Sequence, residues 1–150
     1  MAGLMSRNKG KRAEREIVNL LQPIVDSVYS EHQTKTTEVP RLQRNTLQSD
    51  RGGFDITGIA WFAPEVKHQE QLNINVWWAQ CKAQAKPGQE AVLFYRKNGT
   101  KWRVRMVARL SLEGTRVLRC TVDISMPTFC SYFRERLWIE LRNLQPKETP

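Results

Sequence analysis

The sequence predicts an α/β (α+β) fold, a mixed central sheet flanked by helices. Three observations carry that prediction. Apolar residues return at helical spacing in three stretches, near each end and once in the middle. Between them lie short β-branched or aromatic runs, one pair of which flanks an Asn-Gly turn. The resulting order is helix, three strands, helix, three strands, helix, which is the pattern of a sheet packed against helices. At 150 residues, with no repeat and no linker, the chain fits a single domain over 1–150.

Met1–Asn8 reads as loose chain. From Lys9 a helix of about five turns is expected, with Ala13, Ile17, Leu20, Leu21, Ile24 and Val28 on one face and Pro23 as a kink or interruption. On this wheel, at ~100° per residue, Glu14 falls inside the apolar arc and Glu16 at its opposite edge. Glu14 either reaches a site or favours the positive end of the helix. An edge strand is expected after Pro40. Gln48–Gly53 reads as a loop whose glycines allow positive φ, with Asp50 as a turn residue or a further carboxylate.

Phe54–Phe62 is expected to form a strand bent at Gly58, Trp61–Pro64 the connection, and Ala63–His68 the next strand. Because Pro64 donates no hydrogen bond, Glu65 is expected near the start of that strand. Leu72–Ala85 fits a second helix, stopped by Lys86-Pro87-Gly88, with Trp77 and Trp78 as packing residues rather than base-stacking ones. Ala91–Arg96 and Trp102–Val107 form a hairpin about Asn98-Gly99. Arg103 and Arg105 share a face there, as a DNA-backbone platform or a solvated sheet face. Val117–Ile124 is a further strand. Ser125 caps the last helix, whose stripe of Phe129, Phe133, Leu137 and Leu141 covers the sheet. The tail from Gln145 reads as disordered.

Composition narrows the partners. The formal charge is +9, with 24 Lys and Arg against 15 Asp and Glu, which points to a polyanion. No strongly apolar amphipathic stretch accompanies the basic clusters and no apolar run approaches the ~20 residues of a membrane span, so nucleic acid leads over membrane. Cys81, Cys120 and Cys130 are an odd set without close pairing, read as free thiols in a reducing cytoplasm.

The chemistry concentrates in Gly52–Lys67. Asp55 stands ten residues before Glu65, and Lys67 two after it, so on a strand Glu65 and Lys67 point the same way while Val66 points into the other layer. Two carboxylates and an ammonium are costly to bury together unless a cation compensates them. Asp55 and Glu65 are therefore expected to hold Mg²⁺, with Mn²⁺ as substitute, helped by Glu14 and the Val66 carbonyl. Such a cation supplies water activation and charge neutralisation at a phosphate, and Lys67 stabilises the same developing charge. His68 is either peripheral or a phosphate or metal contact.

Asp55…Glu65-Val66-Lys67 resembles the signature of the PD-(D/E)XK nuclease superfamily. Lys9-Gly10-Lys11-Arg12-Ala13-Glu14-Arg15-Glu16-Ile17-Val18 is similar to the opening helix of archaeal-type and phage-encoded Holliday junction resolvases. Together with the basic hairpin, the resemblance covers roughly residues 9 to 107. It implies a restriction-endonuclease-like fold, Glu14 as the helix-borne acid, and Mg²⁺-dependent incision of branched DNA in recombination by a homodimer. Lys9, Lys11, Arg12, Arg44, Gln48, Ser49, Arg51, His68, Arg103 and Arg105 are the expected DNA contacts. Flaps, mismatches or a duplex sequence are alternative targets, and a non-catalytic DNA-binding protein is the alternative function. Pro64 departs from the family pattern, and residues 108–150 carry no resemblance.

Overall fold

The computed structural model of the protein describes residues 2–32, 38–46 and 53–144. In chain order the elements are α1 (Ala2–His32), β1 (Gln43–Arg44), β2 (Ile56–Thr57), β3 (Phe62–Gln69), α2 (Ile74–Gln84), β4 (Glu90–Lys97), β5 (Arg103–Leu112), β6 (Arg116–Ser125) and α3 (Met126–Leu144). The class is mixed α/β, as expected. The strands form two sheets rather than one: a four-stranded mixed sheet in the order β3-β4-β5-β6 and an antiparallel pair, β1-β2. β3 runs parallel to β4 across α2, and the other two pairings are antiparallel.

Strand alternation sorts the sheet's side chains into two layers. Val66, Val92, Phe94, Val104 and Met106 face α1 and α3, while Leu93 and Tyr95 face α2 through Trp78 and Cys81. The α3 stripe of Phe129, Phe133, Leu137 and Leu141 is buried as its spacing predicts. Phe129 sits edge-on to Phe94 at 5.0 Å between ring centroids, a favourable aromatic geometry. Ser125 caps the helix by accepting a hydrogen bond from the Thr128 N–H at 3.3 Å. Trp78 is buried and Trp77 packs partly buried beside it, so both serve packing.

Several expected boundaries move. The segment read as loose, from Ala2 onward, is helical, although Leu4 and Met5 are exposed and add nothing to the core. The helix is assigned through Pro23, and its buried stripe is Ala13, Ile17, Leu21, Val25 and Val28. Leu20 instead lies 42% exposed, because Val25 continues the 3.6-residue track that Leu21 begins. The strand expected over Phe54–Phe62 shrinks to Ile56–Thr57. Gly58 turns the chain there at φ 129°, and a Cβ on it would stand 2.3 Å from the Arg41 carbonyl oxygen, so only glycine fits.

Pro64 lies inside β3, and Glu65 is mid-strand rather than at its start. The reason is geometric. The Pro64 carbonyl accepts the Asp55 N–H at 3.0 Å on the side of β3 away from β4, so the missing Pro64 N–H also faces that side and no β3–β4 bond is lost. β5 extends to Leu112 and not merely to Val107, because β6 pairs with it throughout. The 33–37, 47–52 and 145–150 segments, including the Gln48–Gly52 loop and the tail, lie outside the described residues.

Candidate functional site

Asp55 is positioned by its backbone before its side chain acts. Its N–H donates to Pro64 of β3, and its carbonyl accepts the Asn45 N–H at 2.8 Å just after β1. Thus fixed between the two sheets, its carboxylate accepts the Val66 N–H at 2.7 Å. In a strand the N–H and C=O of one residue point to the same side, so the Val66 carbonyl faces the Asp55 edge as well. Gly53, at φ 107°, adopts the backbone conformation that the sequence anticipates for this approach.

Glu65 and Lys67 share one face of β3, as their spacing predicts, and Lys67 Nζ lies 3.1 Å from Glu65 Oε1. Both acids are deeply buried, Asp55 and Glu65 each being 5% exposed. Burial and then the neighbouring Asp55 charge push the Glu65 carboxyl up to about 7, against the opposing pull of Lys67. Glu14 lies close enough for its charge to add to that rise. Its own carboxyl is pushed up by burial, against a 2.6 Å ion pair with Arg44, while the Asp55 charge adds to the rise. The three acids therefore form one electrostatic neighbourhood. Among the described residues, however, no three His, Cys, Asp or Glu side chains converge tightly enough to form a metal-binding group.

Glu16 does not belong to this neighbourhood. It accepts hydrogen bonds from Arg96 and Trp102, both at 3.0 Å, on the α1 side of the sheet. His68 points to that same side, with its ring 6.1 Å from that of Trp102. Burial, then Arg96 and Lys9, hold its imidazole below the ordinary range. Lys9 itself donates to Asn98. Lys9 and His68 thus meet each other on the sheet face opposite Glu65 and Lys67.

Lys11 and Arg12 are exposed on α1. Arg44 is engaged by Glu14. Gln48, Ser49 and Arg51 lie outside the described residues. Arg105 makes a two-pronged ion pair with Asp123, at 2.9 and 3.0 Å, and a 2.9 Å hydrogen bond to Asn75. Burial alone would raise the Asp123 carboxyl, but the hydrogen bonds from Arg105 and Tyr95 outweigh it and hold the group below its usual range. Arg103 donates to the Asp123 carbonyl at 3.4 Å.

Sequence reasoning missed Gln84. In the orientation that satisfies both neighbours, its amide nitrogen donates to Glu65 Oε2 at 3.2 Å and to the Gly53 carbonyl at 3.1 Å. Trp78, Cys81 and Gln84 recur every third residue of α2, so Gln84 prolongs a stripe whose first two members are buried. A polar residue continuing an inward stripe was the available signal.

The donor set suits a hard divalent cation. Glu65 and the Val66 carbonyl of β3, with Asp55 held against the same strand by the Val66 N–H, are oxygen donors of the type such a cation takes. Compared with protein-family models, with curated proteins and with solved structures, the chain matches none significantly. No helix among the described residues is long and apolar enough to cross a membrane.

Proposed function

We propose that this protein is a metal-dependent DNA endonuclease of the PD-(D/E)XK type, on a restriction-endonuclease-like fold, with four-way junctions as its preferred substrate. One observation carries the reading. Glu65 and Lys67 share a face of β3 while Asp55 is fastened to the intervening Val66 N–H, so two buried carboxylates and a lysine converge on a single strand.

Asp55, Glu65 and the Val66 carbonyl would hold Mg²⁺ or Mn²⁺, with Glu14 completing the acid set on release from Arg44. Bound there, the cation supplies Lewis acidity and neutralises charge on the scissile phosphate. Lys67 Nζ, held beside Glu65, presents a donor to the phosphate oxygens as charge builds on them. Gln84 fixes the second Glu65 oxygen, so the carboxylate keeps its orientation as the lysine turns to substrate. The net charge of +9 draws DNA in. A homodimer would place two such sites on the symmetric strands of a junction.

The test is incubation with four-way junction, flap and linear duplex DNA, each with Mg²⁺ or EDTA. Mg²⁺-dependent cutting of the junction is expected. Cutting without preference for the junction reassigns the substrate within the same superfamily. A DNA-binding protein without catalysis is the second reading, favoured by the Arg44–Glu14 ion pair that engages the helix-borne acid. DNA binding with no cutting under any metal would select it.

A further inference from the structure

β5 and β6 outrun the rest of their sheet. β4 pairs with β5 only over Arg103–Met106, whereas β6 follows β5 from Arg103 to Leu112. Beyond Val107, which still packs against the α2-side core, the two strands pair only with each other, and an isolated two-stranded ribbon is marginal in water. What its faces carry asks for a physical reason.

Residues directly opposite one another share a face. Glu65 stands opposite Leu93, and Leu93 opposite Arg105, so the Glu65–Lys67 face continues onto the Arg105 side of β5. Along that face two cross-strand pairs contrast. Arg105 faces Asp123 and is neutralised by it. Four residues on, Arg109 faces Arg119, both exposed. Like charges directly opposite destabilise a hairpin unless an anion joins them.

Arg109 and Arg119 also line a cleft of about 970 Å³ together with Lys82 of α2 and Lys86 of the turn that follows. Among the described residues none of these four cations has an ion-pair partner, although Lys82 rests on the Trp78 ring. The carboxylate in the cleft, Glu90, is already answered by Tyr132 and Arg136. Four exposed cations from α2, the turn after it, β5 and β6 thus face one opening without an ion-pair partner among the described residues.

We propose that Lys82, Lys86, Arg109 and Arg119 bind the phosphodiester backbone of DNA, as a second contact remote from the Glu65–Lys67 site. The inference rests on the nuclease reading for its choice of DNA as the polyanion. From Glu65 to Arg109 is two strands across and four residues along, roughly 16 Å at sheet spacing. A duplex crossing this face would meet the ribbon about five base-pair steps from the cut, at 3.4 Å per step. The ribbon then selects substrates with duplex flanking the incision.

The experiment is fluorescence anisotropy of a labelled linear duplex in EDTA across a salt series, so that cleavage plays no part. Each phosphate contact contributes about 0.9 to the slope of log K against log salt. R109Q/R119Q is expected to reduce that slope by about 1.8 and to weaken binding at low salt, with K82Q/K86Q on the separate helix and turn doing the same. Circular dichroism checks that each variant folds, and the second pair decides the matter if the ribbon variant does not. Unchanged slopes overturn the proposal, and so does a parent protein that binds anionic vesicles or an acidic peptide but not DNA. Cleavage by the parent, assayed separately with Mg²⁺, reports on the nuclease reading alone. Reduced slopes support the backbone contact whether or not the parent cuts.

Discussion

A carboxyl group buried beside other acids is most stable with its proton on, and Glu65 is in that position. Its carboxyl is raised from 4.5 to about 7, so the folded state retains a proton that the unfolded chain releases earlier. The sign follows. Stability from this group is fully present below pH 4.5 and is lost as pH rises through about 7. Thermal melts in EDTA should therefore show a decline over that window, reduced in Glu65→Gln, and millimolar Mg²⁺ above pH 7 should raise the parent's Tm more than the variant's. Lys67 gives a kinetic counterpart. Lys67→Ala should lower turnover by ~10²-fold or more while DNA affinity in EDTA stays within a few-fold, because its donor acts on charge that develops in the transition state. Equal losses in binding and rate would assign Lys67 to substrate binding. That Glu65 and Lys67 share a face was legible from spacing, since a period of two fixes it, whereas the place of Asp55 depends on its hydrogen bonds to Pro64 and Val66. Gln84 was not, because its contact crosses from the end of α2 to β3. The Arg105–Asp123 pair was equally hidden, as hairpin register and not sequence distance brings the two together.

Elements whose pattern repeats within themselves were the easiest to read. The α3 stripe and its Ser125 cap follow from the sequence alone. Phe133→Ala should cost about 3–5 kcal/mol, as expected for truncating a fully buried aromatic. Ser125→Ala should cost about 1 kcal/mol by denaturant unfolding. The Asn98-Gly99 hairpin was legible for the same reason, since the turn chemistry sits next to the alternation it joins. The strand boundaries were harder. Pro64 signals a strand end only if its nitrogen faces a neighbouring strand, and here it faces the edge held by Asp55. The length of β5 depends on its pairing with β6, which begins only four residues after β5 ends but carries no alternation that marks the pairing, and α1 continues N-terminally over residues whose exposed Leu4 and Met5 give no amphipathic signal.

For the molecule as a whole, the mixed α/β class and the order of elements were readable, whereas the division into two sheets was not. β1 and β2 are two residues each, too short to leave a periodic trace. The excess of positive charge is distributed unevenly in what it can offer a ligand. Arg44 and Arg105 are engaged by carboxylates, while Arg109 and Arg119 lie on the ribbon facing open space. The proposed site lies at the β3 edge of the sheet and the cationic ribbon at the β5–β6 edge, so the proposed binding and chemistry can be tested separately. The most direct measurement is strand scission of a labelled four-way junction in Mg²⁺ by the parent and by Glu65→Gln, with binding of both followed in EDTA. Cutting by the parent, loss of cutting in the variant and comparable binding by the two are expected. A parent that binds the junction yet leaves it intact with both Mg²⁺ and Mn²⁺, or a variant that cuts as fast as the parent, would contradict the nuclease reading.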